Sequence, residues 1–139
     1  MTAALERDHQ NSFFEWLRVN ESQHPILKRV FAIPNGGKRD RATAIGMYKE
    51  GLRKGVLDIH LPAPRNGKSG LWIEFKAGSN TLSDEQTEWK AFLELEGYAV
   101  HVVRDWTDAA RLVAIYLNLA LPMPYASPSV DEFRRRRSR

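Results

Sequence analysis

Two short apolar stretches that each carry charge constrain this chain more than anything else in it. The first is Gly55-Val56-Leu57-Asp58-Ile59-His60-Leu61 and the second is Leu71-Trp72-Ile73-Glu74-Phe75-Lys76. Both are apolar enough to be buried strands. Side chains alternate along a strand, so Glu74 and Lys76 share one face while Ile73 and Phe75 share the other. Glu74 and Lys76 are then about 6–7 Å apart. If the two strands pair through the turn between them, Asp58 lies beside Glu74. Two carboxylates and one ammonium then meet at one point on a sheet. Isolated buried charges are costly, so such a trio binds a metal, pairs internally or does chemistry.

The rest of the chain sets the context. Its 139 residues suit one domain with a core of its own. No stretch approaches 18 consecutive apolar residues, so no membrane span is expected. The N-terminus lacks a signal-peptide layout. The absence of cysteine excludes disulfides and thiolate zinc sites and is compatible with a reducing cytoplasm, the expected compartment. The four histidines (His9, His24, His60, His101) lack ligand spacing. The net charge of +4 comes from the tail, where Arg134 to Arg139 holds five arginines. Without them 16 basic residues face 17 acidic ones, a net of −1. One local exception is Lys38 to Lys54, with Lys38, Arg39, Arg41, Lys49, Arg53 and Lys54 against Asp40 and Glu50. That patch either holds phosphates near the charged strands or is a solvated helix face.

A helix is expected from about Ala3 to Val19, with Leu5, His9, Phe13, Trp16 and Leu17 as its packing stripe. Glu6 and Gln10 sit four apart on an adjoining face and by themselves read as an exposed polar pair. Arg29 to Ile33 is a plausible strand. Pro34-Asn35-Gly36-Gly37 then marks a tight turn, although Asn35 at a strand end can also contact DNA or a ligand. A short helix fits Arg39 to Glu50, with Ile45, Met47 and Tyr48 as its apolar part and Gly51 as its stop. After the two charged strands, Ser83 fits an N-cap and Gln86 its capping-box partner. Trp89, Phe92 and Leu93 give that helix a buried face, and Gly97 closes it. Ala99 to Val103 is a further strand, and a last helix runs from about Thr107 to Leu119. Residues 122–139 are rich in Pro, Ser and Arg and read as a flexible basic tail on a domain of residues 1–121.

The resulting order is helix, strand, helix, strand, strand, helix, strand, helix. It predicts an α/β fold with helices on a mixed sheet. Set aside the short second helix and the αβββαβ core is that of the restriction-endonuclease-like PD-(D/E)XK nucleases. In those enzymes an Asp precedes a hairpin and an acidic-x-Lys triplet follows it, as Asp58 and Glu74-Phe75-Lys76 do here. More narrowly, the chain resembles VRR-NUC domains, a branch of these nucleases. The matching pieces are Glu6 and Gln10, Pro34-Asn35-Gly36-Gly37, Gly55-Val56-Leu57-Asp58-Ile59, Leu71 to Lys76, Leu82-Ser83 with Gln86, and Gly97-Tyr98 with Val100, Val102 and Val103. Two positions depart from the family pattern. Leu57 stands where Pro is usual, and Ala32 stands where a His is often found.

The residue types suit phosphodiester hydrolysis. Asp58 and Glu74 offer hard oxygen ligands for Mg²⁺ or Mn²⁺, which would polarise the phosphate and acidify a water. Lys76 would orient that water or offset transition-state charge. The resemblance implies further roles. The Phe75 carbonyl would complete the metal site, Glu6 would reach it directly or through water, and Gln86 would stand beside the lysine. A capping box explains Gln86 equally well. Asn35, Lys38, Arg39, Arg41, Arg53 and Lys54 are the candidate DNA contacts. The resemblance also implies an endonuclease for branched DNA such as a Holliday junction, acting in DNA repair as a homodimer whose two-fold axis suits paired cuts. A flap, restriction or replication nuclease, or a non-catalytic nucleic-acid-binding module of the same fold, is the alternative.

Overall fold

The computed structural model describes residues 2–34 and 41–122. The first helix, α1, spans Thr2–Asn20. Its apolar stripe recurs at helical spacing, and Phe13 and Leu17 are fully buried at its centre. His9 is buried on the same side, where its Nδ1 accepts a hydrogen bond from the Trp106 amide at 3.2 Å. Trp106 begins α4, Trp106–Leu117, which packs beside α1. Asp105 caps α4 by accepting from the Thr107 amide at 2.8 Å. Asn118, with φ +53, caps its end, so the helix stops at Leu117, two residues before the expected Leu119.

The sheet has four strands in sequence order. They are β1 Phe31–Ala32, β2 Ile59–Leu61, β3 Leu71–Phe75 and β4 Ala99–Val103. β1, β2 and β3 are antiparallel neighbours, while β4 runs parallel to β3. That parallel step needs a crossover, supplied by α3, Asp84–Leu95. The sheet is therefore mixed and flanked by helices, the α/β architecture expected from the sequence.

Alternation along the strands divides the side chains between two layers. Ile59, Leu61, Leu71, Ile73 and Phe75 face α1 and α4 in the main core. On the other face a smaller cluster of Leu57, Leu93 and Val100 packs with Trp72, Trp89 and Tyr98 under α3. Glu74 belongs to this second face, being one residue out of phase with Ile73 and Phe75.

Several expected boundaries move for local reasons. Pro25 opens a 3₁₀ turn through Arg29, so the first strand shrinks to Phe31–Ala32. The stretch from Gly55 to Asp58 is not strand, because Gly55 takes φ +87 and lies flat against the start of α3. A Cβ there would stand 2.5 Å from Glu85 Cβ. β3 ends at Phe75, although the Lys76 amide still donates to the Val103 carbonyl at 3.0 Å. Phe92 is not buried on α3 but about half exposed. The second helix, α2, runs over Arg41–Lys49, and its apolar Ile45 and Tyr48 face solvent. At the far end Leu121 is buried, and the Pro122 carbonyl accepts from Trp16 Nε1 at 3.0 Å. The basic tail beyond it lies outside the described residues.

Candidate active site

Register brings the two acids together. Ile59 pairs with Ile73 in the β2–β3 ladder, so the next position pairs Asp58 with Glu74. Each carboxylate then takes a backbone N–H from the other strand. Glu74 Oε2 accepts from the Asp58 amide at 2.9 Å. Asp58 Oδ2 accepts from the Phe75 amide at 3.1 Å. The two carboxyl groups lie close enough for each to perturb the other's titration. The two side chains therefore converge on one point.

Their titration reflects that crowding. Glu74 is only 2% exposed. Burial above all, then the charge of Asp58 beside it, pushes its carboxyl up to about 9. Burial also raises Asp58, against the Phe75 N–H that stabilises its ionised form. Lys76 Nζ stands 3.9 Å from Glu74 Oε1, the outer limit of an ion pair. Its pull is the weakest of the influences on both acids.

Gln86 forms the capping box that its position allowed, and its other end contacts Glu74 rather than the lysine. Its Oε1 accepts from the Ser83 amide at 2.9 Å while Ser83 Oγ accepts from the Gln86 amide at 3.2 Å, a complete capping box. Its Nε2 donates to Glu74 Oε1 at 2.7 Å. The start of α3 is thereby tied to the buried acid. Glu6, one turn into α1, accepts from the Ala77 amide at 3.0 Å. It is near enough for its charge to raise Asp58. Among the described residues no three His, Cys, Asp or Glu side chains converge as a metal cluster, so Glu6 stands one remove from the pair.

Of the basic residues singled out, Lys54 pairs with Glu85 at 3.3 Å on the surface. The Arg53 guanidinium lies 5.8 Å from the Tyr48 ring centre. Asn35, Lys38 and Arg39 lie outside the described residues, as does the side chain of Arg41.

Nothing in the sequence marks the part that two residues play in organising the site. Gly55 holds the loop before Asp58 against the first turn of α3. Arg104 donates to the Gly78 and Asn80 carbonyls, both at 2.8 Å, and so fixes the loop between Lys76 and Ser83. A glycine in a loop and one arginine after a strand are too common to stand out.

An α/β fold with a buried acid pair and a lysine at a strand end is thus the class that the structure defines. Within it, the chain is similar to a solved structure named "VRR_NUC domain protein", with a TM-score of 0.64 over 86% of this chain and 95% of that one. Sequence identity is 19%, so the likeness establishes the shared fold. No protein-family model matches the sequence, and no curated protein matches it. No described helix is long and apolar enough to cross a membrane.

Proposed function

We propose that this chain is a VRR-NUC nuclease that hydrolyses phosphodiester bonds in DNA with Mg²⁺ or Mn²⁺. The observation that carries the reading is the Asp58–Glu74 pair. Two carboxyl groups are held side by side by opposing backbone amides, where burial and the charge of Asp58 keep the Glu74 proton on up to about 9. A divalent cation takes the place of that proton with a better charge match, and hard oxygen donors suit Mg²⁺ or Mn²⁺. Asp58, Glu74 and the Phe75 carbonyl would hold it, with Glu6 reaching it through water. When bound, the ion neutralises phosphate charge and acidifies a water.

The chain's own residues do the rest. Gln86 holds Glu74 Oε1 and so fixes the carboxylate plane. Lys76 extends from the same strand end, where its ammonium offsets the charge that builds on the phosphate. Its half-buried position keeps that charge out of bulk water. Asn35, Lys38, Arg39, Arg41, Arg53 and Lys54 are the proposed DNA contacts. Residues 1–121 form the nuclease domain, and residues 122–139 add phosphate affinity through their arginines. Branched DNA such as a four-way junction is the proposed substrate and a homodimer the proposed form, since a two-fold pair of sites matches paired cuts.

The test is to incubate purified protein with four-way junction, flap and linear duplex DNA, with Mg²⁺ or Mn²⁺ and then with EDTA. Asp58→Ala is run in parallel. Metal-dependent cutting of the junction that disappears in Asp58→Ala is the expected outcome. Equal cutting of linear duplex would defeat the junction preference. DNA binding without cleavage under either metal would make the chain a binding module.

A further inference from the structure

The sheet has two open edges, and they are not alike. β1 has only two residues. β4 has five, Ala99–Val103, three of them valine, with no lysine and no proline. The outward N–H and C=O groups of an edge pair with any strand that reaches them, so edges are normally protected by shortness, lysine, proline or a bulge. Shortness protects β1, and none of these protects β4. The hydrogen bonds to β3 say which groups of β4 are outward. The Ala99 amide donates to the Gly70 carbonyl at 2.9 Å, and the Val103 carbonyl accepts from the Lys76 amide at 3.0 Å. Peptide groups alternate in direction along a strand, so Ala99, His101 and Val103 turn theirs to β3 while Val100 and Val102 turn theirs away. Among the described residues β3 is the only strand beside β4.

We infer that β4 pairs antiparallel with β4 of a second copy about a two-fold axis at His101, an inference that rests on the homodimer proposed above and names its surface. Val100 of each copy exchanges both backbone hydrogen bonds with Val102 of the other, so every outward group of the strand is used. The two four-stranded sheets become one continuous sheet. The charges of α3 agree with this axis. Lys90 and Glu94 pair with each other at 2.6 Å on one flank of the helix. Both charges reach His101, an exposed residue that pairs with Ile73 and so belongs to the opposite face of the sheet. The two side chains therefore flank the open edge at the level of His101. A two-fold axis there sets α3 antiparallel to its copy and brings Lys90 of one beside Glu94 of the other. A basic and an acidic residue one turn apart are self-complementary in that arrangement. The axis is normal to the sheet, so both α3 layers, and with them both acid pairs, stay on one side of it.

The experiment combines cross-linking with sedimentation equilibrium on the full chain. In the proposed pairing the two His101 residues form a non-hydrogen-bonded pair with Cα atoms about 4.5 Å apart, within the span of a disulfide. The chain has no cysteine of its own. Under mild oxidation His101→Cys is expected to give a covalent dimer, and Phe31→Cys, on the other edge, to stay monomeric on a non-reducing gel. Val102→Pro removes an outward N–H and leaves the β3 ladder intact, so it should fold and weaken the dimer at least about 30-fold. Lys90→Glu should weaken it about 5-fold, and adding Glu94→Lys should restore it. No cross-link through His101→Cys, a cross-link through Phe31→Cys, or a folded Val102→Pro that dimerises like wild type overturns the inference. If Val102→Pro does not fold, the cross-link and the charge swap decide. A wild type that sediments as a monomer removes the homodimer as well, whereas a dimer that survives these changes removes this interface alone. Asp58-dependent cleavage is read separately, so the nuclease reading stands or falls on its own.

Discussion

Asp58→Asn should stabilise the metal-free protein at alkaline pH while abolishing cleavage. The reasoning starts from Glu74, whose carboxyl lies near 4.5 in an open chain and is pushed up to about 9 in the fold. Below pH 4.5 both states are protonated and the shift costs nothing. Between pH 4.5 and 9 the unfolded chain releases the proton and the folded one keeps it, so stability falls as pH rises. The slope is about 1.4 kcal/mol per pH unit for one such group. From pH 5.5 to 8 that is roughly 3 kcal/mol, or on the order of 10 °C in Tm for a domain of this size. Asn at position 58 can still accept from the Phe75 amide, while it removes the charge that stands beside Glu74. Glu74 then loses the Asp58 repulsion but keeps its burial, so its carboxyl falls part of the way back and the slope should flatten toward the alkaline end. Urea or thermal unfolding of both proteins from pH 5.5 to 8 without divalent ions measures this. A wild-type Tm that holds level across that range, or an Asp58→Asn profile as steep as wild type, would refute the reasoning.

The same linkage predicts that Mg²⁺ or Mn²⁺ releases protons from the Asp58–Glu74 pair. Calorimetric titration at pH 7 in buffers of different ionisation enthalpy should show binding heats that track the buffer, and Asp58→Asn should not. Gln86→Ala removes both the capping partner and the Glu74 contact, so it should cost about 1–2 kcal/mol in urea unfolding and lower cleavage at least about 10-fold. Ser83→Ala, which loses only the cap, should cost about 1 kcal/mol with a smaller loss of activity. Gly55→Ala should destabilise by about 1–3 kcal/mol, read as a lower urea midpoint, because its Cβ would meet Glu85 Cβ at 2.5 Å under positive φ. Deleting the residues after Asp131 should flatten the salt dependence of DNA binding and leave the metal requirement intact.

The sheet and its helices were legible where one face of an element is buried. Phe13 and Leu17 mark α1 because their spacing is helical, and Ile73 and Phe75 mark β3 because their phase opposes Glu74. The misplaced boundaries share a cause that periodicity does not carry. Gly55 to Asp58 has the apolar content of a strand, but Gly55 lies against Glu85, thirty residues away. Phe92 has the spacing of a core residue on α3, yet the second cluster extends only as far as Leu93 and Trp89, and its ring stays outside. Both outcomes depend on how much partner surface the rest of the fold supplies.

The candidate site was legible for a different reason. Alternation in a hairpin predicts that Asp58 lies beside Glu74, and the Ile59–Ile73 pairing places them together. Gln86 could not be divided that way. Its sequence position fits a helix cap and a site residue equally, and the structure gives its two ends to the two tasks, Oε1 to Ser83 and Nε2 to Glu74. The cap and the contact thus hold each other in place. Rotating the amide to improve one places the wrong atom at the other, since an amide nitrogen cannot accept from the Ser83 N–H. Glutamate at position 86 would keep the capping box but set a third carboxylate against Glu74, raising the cost of ionising a group already held protonated by its surroundings. An amide meets both demands, so a residue that looks like ordinary helix capping also fixes the orientation of the buried acid.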